Sequence, residues 1–324
     1  MQDTNMSNPL VSFCIPAYGR GKFIAATLRS ALAQTVENIE IIVVDDRSPD
    51  NTAEVVKGFS DKRIHYFLNP ENLGMPENLN RAMSLGSGEY LVLLEDHDLL
   101  EPTYLEAALS VMDRYPTVGF VATGLVTIDE QDKPLERYEG TLPEFMPGRK
   151  LLRRLLTRTD CPFSVTTVMR RSAIEGVKPL FDSRYWWYAD QYLWLRLCAK
   201  SDFGFVDQPL LKFRTREAGH HLENRHWESS LCLNKIRRDN WHLLHPHFSF
   251  MSLWDSLLYE KSKFVQIAKW RGGRMLRADS WSKEDVVSSK SYLSFLSRCM
   301  LSVVGILPLW LVAKLREILK PHHS

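Results

Sequence analysis

Four consecutive apolar residues, Leu91-Val92-Leu93-Leu94, run directly into Glu95-Asp96-His97-Asp98. A short apolar run of this kind has the form of a strand buried on both faces, the habit of parallel sheets. A parallel sheet needs crossover connections, usually helical, so the run steers the chain toward the α/β class. It also predicts where a site lies, because open α/β sheets bind ligands beyond the carboxyl ends of their strands. Three acids and a histidine placed there are hard oxygen ligands with one imidazole. That set suits Mg2+ or Mn2+, and through them phosphates.

The rest of the first half supports this reading. Leu10 to Ile15, Ile39 to Val44 and Ile64 to Leu68 are further apolar strands. Phe23 to Gln34 carries apolar residues at helical spacing, Asn78 to Leu85 is helical, and Ser48 to Thr52 is a turn with capping residues that leads into another helix. Glu101-Pro102 opens a further helix, with Pro at an early position. The alternation predicts a doubly wound, mostly parallel sheet. Beyond Val118 the pattern changes. Strands are expected at 118–128, 165–169 and 203–214, with a turn at 129–134 and a helix at 189–199. From about Glu223 the chain reads as helical and rich in Trp, His and Arg, so a boundary is placed near residue 220.

Composition excludes some classes. The 324 residues carry a net charge of +2, which gives no sign of nucleic-acid binding. Cys14, Cys161, Cys198, Cys232 and Cys299 are odd in number and scattered, as expected of free thiols in a reducing compartment. Met1 to Asn8 lacks the apolar core of a secretory signal. Cys299 to Ala313 is strongly apolar and flanked by Arg298, Lys314 and Arg316, but is shorter than the roughly 20 residues that span a bilayer. It reads either as an interfacial helix on anionic lipid or as a core or oligomer-contact helix.

Three strand ends carry groups able to converge: Pro16-Ala17-Tyr18, Asp45-Asp46 and Glu95 to Asp98. A flat ring and a carboxylate are what a base and a ribose require, with stacking on Tyr18 and a hydrogen bond to Asp46. The competing reading is that Asp45 and Asp46 only cap the turn that follows.

Five segments in order resemble family 2 glycosyltransferases of the GT-A fold. They are Val11 to Tyr18, Ser30 to Thr35, Ile42 to Ser48, Asn69 to Asn80 with its Asn-Leu-Gly, and Gly86 to Tyr90 leading into Leu94 to Pro102. Tyr188-Ala189-Asp190-Gln191-Tyr192-Leu193-Trp194-Leu195-Arg196-Leu197 is similar to the family's acceptor-side motif. The resemblance covers roughly residues 9 to 217. It implies a GT-A domain over 1–220, with a nucleotide-sugar half of about 9–128 and an acceptor half of about 129–220. The helical region 221–324 stands outside it.

The resemblance also implies a chemistry. A nucleoside-diphosphate sugar is bound through Pro16, Ala17, Tyr18, Asp45, Asp46, Asn72, Glu95 and Asp96, with Mn2+ or Mg2+ bridging the diphosphate to the acidic cluster. Asp190 is the expected general base, taking a proton from a hydroxyl of a glycan or lipid-linked acceptor as it attacks with inversion. The sequence departs from the family pattern twice. The usual acidic ligand position falls on His97: either His97 binds the ion, which favours Mn2+, or Asp96 and Asp98 do so in a shifted register, the reading preferred here. Ala189 replaces a frequent Glu.

Outside these motifs, Trp186, Trp187 and Tyr188 form a candidate acceptor platform, whose competing reading is core packing. Arg214 and His220, with Arg216 and His221 nearby, are candidate diphosphate or lid residues, with a solvated basic loop as the alternative. Arg153-Arg154 and Arg170-Arg171 read as solvated faces. Gly19-Arg20-Gly21 fails as a dinucleotide fingerprint because Ile24 holds the third glycine position. A sugar-nucleotide nucleotidyltransferase and a non-catalytic binding module of the same fold are the rival functions. The expected location is the cytoplasm, with contact to the inner face of the membrane.

Overall fold

The apolar runs assemble into one sheet. The structure is a computed structural model, and it describes residues 8–139, 142–157, 163–215, 235–236 and 239–243. Its elements run β1 (Val11–Ala17), α1 (Ile24–Leu32), β2 (Ile39–Asp45), α2 (Thr52–Lys57), β3 (Ile64–Leu68), α3 (Met75–Leu85), β4 (Tyr90–Leu93), β5 (Leu99–Leu100), α4 (Tyr104–Arg114), β6 (Val118–Ile128), β7 (Pro134–Tyr138), β8 (Phe145–Met146), α5 (Gly148–Thr157), β9 (Val168–Arg170), α6 (Arg171–Ile174), α7 (Ala189–Cys198) and β10 (Asp202–Arg214). A 3-10 turn, Ser183–Tyr188, leads into α7. The strand order is β3-β2-β1-β4-β9-β6-β10-β5, with β7 on β6 and β8 on β10. The first four are parallel, β9 is antiparallel to both its neighbours, and β6 and β10 pair in parallel.

Period-two alternation splits the strands between two cores. Phe13, Ile15, Ile41, Val43, Val92 and Leu94 face α1 and α4, where Ile24, Leu28, Leu105 and Met112 meet them. Cys14, Ile42, Val44, Leu91 and Leu93 face the other way, toward Leu79 and Met83 of α3 and Leu193 and Trp194 of α7. Each such aliphatic side chain contributes about 1.5–3 kcal/mol when fully buried. Burial on both faces is why the runs lack polar alternation.

The strand order fixes the site. From β1 the chain winds outward through β2 to β3, then crosses back to place β4 on the other side of β1. β1 and β4 therefore flank the point where the winding reverses, the usual ligand crevice of such sheets. The β1–β4 ladder stops at Cys14↔Leu93, with one further bond from Leu94 N–H to the Cys14 carbonyl. Pro16 is the next residue whose backbone would face β4, and it has no N–H to offer. The strands part there, and the acidic loop 95–98 fills the opening.

Several elements differ from expectation. α3 starts at Met75 rather than Asn78, because Pro76 suits a first helical turn. β7 was not expected, only the turn over 129–134 that leads into it; all five of its residues are exposed, so it carries no apolar signal. α5 was not expected. Its Leu151, Leu152, Leu155 and Leu156 are buried at helical spacing. Arg170 and Arg171 are not solvated faces. Arg171 donates to the carbonyls of Gly88 and Gly86 at 2.7 and 2.8 Å, and Arg170 lies over the Tyr90 ring. Contacts of the core beside α3 and α7 extend past the expected boundary near 220. Ile236 is fully buried in the same core, and Tyr185 donates to Asp239 at 2.9 Å, both within the compact unit Met1–Trp270. Cys14 and Cys198 are both buried. Among the described residues no helix is long and apolar enough to cross a membrane. The segment Cys299 to Ala313 and the cysteines at 161, 232 and 299 lie outside the described residues.

Candidate active site

The loop after β1 and the loop after β4 are joined at Asp96. Its Oδ2 accepts from the Tyr18 backbone N–H at 3.0 Å, and its Oδ1 lies 2.9 Å from His97 Nδ1 and 3.5 Å from Arg20 Nε. A carboxylate only accepts, so His97 Nδ1 carries the proton. The other ring nitrogen, Nε2, stands 3.5 Å from Glu95 Oε2 and 3.9 Å from Asp98 Oδ1. Burial opposes a charged His97 ring, but the Asp96 hydrogen bond and the charges of Glu95 and Asp98 outweigh it, so its pKa is raised. Asp98 is fully buried. Its Oδ1 accepts from the Arg214 backbone N–H at 2.8 Å, while its Oδ2 meets no partner among the described residues. Burial, reinforced by Glu95 and Asp96, raises its pKa as well.

Asp190 sits in the first turn of α7, where its Oδ1 accepts its neighbour Gln191's N–H at 2.8 Å. Burial of the carboxyl group pushes its pKa up to about 6, and the nearby charge of Glu95 adds to the effect. Asp190 thus feels the charge of the acidic loop, although the two are far apart in sequence.

Tyr18 is half exposed at the rim of this site, its ring open for stacking. Ala17 is buried in β1 and Pro16 ends the ladder beside it. Asp45 and Asp46 have a different occupation. Asp45 accepts from Ser48 N–H at 2.8 Å and from the Tyr66 hydroxyl at 2.7 Å. Asp46 accepts from Asn69 Nδ2 at 2.6 Å, Leu73 N–H at 2.8 Å and Gly74 N–H at 2.9 Å. Both are almost fully buried, so their carboxylates serve first to shape the turn after β2 and the Asn-Leu-Gly loop. Asn72 assists by donating to the Asp46 carbonyl at 3.1 Å and accepting from Gly74 N–H.

That loop seats Trp186. Gly74 has φ +81°, and a Cβ there would come within 2.9 Å of the Trp186 ring edge. The indole, 43% exposed, thus rests on the loop that Asp46 folds, four residues before the candidate base. Tyr188 is half-buried. The side chain of Trp187 and all of His220 lie outside the described residues.

Arg214 requires a correction. It was a candidate for diphosphate or lid contact, with a solvated basic loop as the alternative, yet the residue is 4% exposed and each of its nitrogens has a protein partner: Nε the His97 carbonyl at 2.8 Å, one terminal nitrogen the Asp129 carbonyl at 2.7 Å, the other Asp132 Oδ1 at 2.5 Å. The partly exposed cation beside the acidic loop is Arg20, set aside in the sequence as part of a failed fingerprint. Its signal was its place, three residues past the end of β1. Gln34 was also passed over. Its Oε1 accepts from Leu105 N–H at 3.0 Å and its Nε2 donates to the Glu101 carbonyl at 2.9 Å, capping the helix that follows the acidic loop.

Among the described residues no three His, Cys, Asp or Glu side chains form a ready metal cage. The donor set fits a cation completed by ligand oxygens. Glu95 and Asp96 are hard donors, and Asp98 Oδ2 is a buried oxygen without a partner.

The sequence profile of Glycosyl transferase family 2 matches residues 12–177, which contain the switch-point crevice and the acidic loop. The chain belongs to this family. An uncharacterized glycosyltransferase of Rickettsia typhi is 29% identical to this family 2 chain over 221 residues, 66% of each. One from Haemophilus influenzae is 25% identical over 247 residues, covering 72% of this chain and 73% of the relative. The match to a longer one from Rickettsia bellii, 31% identical, covers 64% of this chain but only 29% of that protein. The family 2 chain thus spans two thirds or less of the length of several relatives. The crystal structure of S. aureus TarS in complex with UDP-GlcNAc superposes with a TM-score of 0.57 at 17% identity, over 73% of this chain and 70% of that one, and shows the shared fold.

Proposed function

We propose that this chain transfers a sugar from a nucleoside-diphosphate sugar to a hydroxyl of a glycan or lipid-linked acceptor. The observation that carries the reading is Asp190, a carboxylate tuned to about 6 and coupled to the acidic loop at the switch point. A base with that pKa is largely ionised at neutral pH yet basic enough to draw a proton from a hydroxyl. The Tyr18 ring stacks on the nucleobase, and Arg20 supplies positive charge near the diphosphate. Asp190 accepts the acceptor's proton as its oxygen attacks the anomeric carbon. The bond from that carbon to the diphosphate oxygen breaks on the opposite face, so the configuration inverts. Trp186 offers its exposed face to the apolar side of an acceptor sugar. Glu95, Asp96 and Asp98 would hold a divalent ion together with phosphate oxygens, and His97 beside them favours Mn2+ over Mg2+. Such an ion, when bound, neutralises charge on the leaving diphosphate.

TarS has been solved with UDP-GlcNAc and with UDP, so UDP-sugars lead the donor panel. The test is turnover of UDP-, GDP- and dTDP-sugars with and without Mn2+, for wild type and Asp190→Asn. The reading expects one donor to turn over with wild type only, while both proteins bind its nucleoside diphosphate. Equal turnover by Asp190→Asn, or no binding by wild type, would defeat it.

A further inference from the structure

We propose that Arg214 is a positioning residue for the acidic loop, acting through the tip of the β6–β7 hairpin. The acidic loop spans from β4 to β5 and is held at both ends. At the β4 end Asp96 takes the Tyr18 N–H and the Arg20 contact. At the β5 end Arg214 holds the loop twice, through the Asp98 side chain and the His97 backbone. Its backbone N–H binds the Asp98 carboxylate and its Nε binds the His97 carbonyl.

The guanidinium reaches the hairpin with its remaining nitrogens, bonding the Asp129 carbonyl and the Asp132 carboxylate. The hairpin tip is shaped to receive it. Asp132 has φ +64°, and the Asp129 side chain accepts from the N–H groups of Gln131 and Lys133 at 2.9 Å each. Phe23, where α1 begins, lies under the guanidinium at 4.7 Å, and Lys22 pairs with Glu130 at 2.7 Å. The loop after β1, the hairpin tip and the acidic loop are therefore locked together through Arg214.

A buried cation is a poor source of stability, since apolar side chains of similar size often do as well or better. Its geometric effect is harder to replace. Lysine carries all its donors on one terminal nitrogen, so it cannot reach acceptors spread along a planar fork that bonds through Nε and both terminal nitrogens. Outer partners of this kind commonly tune affinity at a site they do not touch.

The inference rests on the proposed donor site, and the experiment separates the two. Calorimetric titration with UDP, GDP and dTDP in the presence of Mn2+ is run on the full chain. It compares wild type with Arg214→Lys, Asp132→Ala and Arg137→Ala. Arg137 lies on the same hairpin and pairs with Glu139 outside the clamp. The expected result is a dissociation constant raised about tenfold or more for Arg214→Lys and severalfold for Asp132→Ala, with stoichiometry kept. Arg137→Ala should match wild type.

A merely structural role would lower the bound fraction and leave the dissociation constant of the folded remainder unchanged, overturning the inference. Asp132 covers the case in which Arg214→Lys fails to fold, because its side chain is 56% exposed and sits on a surface turn. An unchanged constant for Asp132→Ala would also overturn the inference. Absence of nucleotide binding by wild type would overturn the donor site itself.

Discussion

At the level of single residues, Asp190 carries opposite signs for activity and stability. Its folded-state pKa of about 6 lies above the ordinary carboxylate value. As the proposed base it must be ionised to work, so turnover should rise through pH 6 and fall about tenfold between pH 7 and pH 5. The same shift costs stability. Below pH 4 both folded and unfolded states hold the proton. Between about 4 and 6 the unfolded chain releases it first, so stability declines as pH rises, by a total on the order of 1–3 kcal/mol. Asp190→Asn should therefore be inactive, yet at pH 7.5 it should melt no lower than wild type. Melting curves and turnover from pH 5 to 8 check both signs, and a variant that is both inactive and strongly destabilised would show that Asp190 holds the fold together. Asp190 could be singled out as a candidate in sequence because its motif is local. The occupation of Asp46 was not, since its three donors come from residues 69 to 74 and reach it only when the Asn-Leu-Gly loop folds back. Arg214 misled for the same reason. A basic residue after a strand looks available until the hairpin that absorbs it is in place.

At the level of elements, the short motifs prove to be mostly joints between elements. Gln34 ends the stretch after α1 and caps α4 through Leu105. Asn80 of α3 exchanges two bonds with the backbone of Phe181, at 2.7 and 2.9 Å. Gln34→Ala leaves the first turn of α4 uncapped and should cost about 1–2 kcal/mol. In a domain of this size that lowers the melting temperature by about 2–4 °C. Gly74→Ala tests the seat of Trp186. The glycine has φ +81° and ψ 162°, a region essentially reserved for glycine, so alanine should cost about 1–3 kcal/mol before any push on the indole. Chemical denaturation of each variant measures these costs, and a change below about 0.5 kcal/mol in either would mean that the joint contributes little. Strands buried on both faces and helices with apolar stripes were legible because periodicity reports burial. β7 was not, because an edge strand exposed along its whole length needs no apolar pattern.

Across the whole molecule, the candidate acceptor platform is supported by three distant parts of the chain: the loop after β3, the 3-10 turn before α7, and residues near 240. Composition placed a boundary near 220, where the strand–helix alternation ends. Beyond it, Ile236 and Asn240 are as enclosed as any residue of the parallel sheet. The link is Tyr185. Its ring is buried and stacks on Tyr192 of α7 at 5.6 Å between centroids, and its hydroxyl donates to Asp239, with burial foremost in pushing its pKa up to about 12. Tyr185 adjoins Trp186, so the C-terminal contact fixes the turn that presents the candidate platform. A double-mutant cycle with Tyr185→Phe and Asp239→Ala should return a coupling of about 1 kcal/mol. Ile236→Ala should cost about 2–5 kcal/mol, the range for truncating a buried aliphatic side chain. If the segment docks in solution, Ile236→Ala should lower the single cooperative unfolding transition of the whole domain. A transition unmoved by Ile236→Ala, together with zero coupling in the cycle, would mean that the domain folds without this segment and that the turn before α7 is held by the sheet alone.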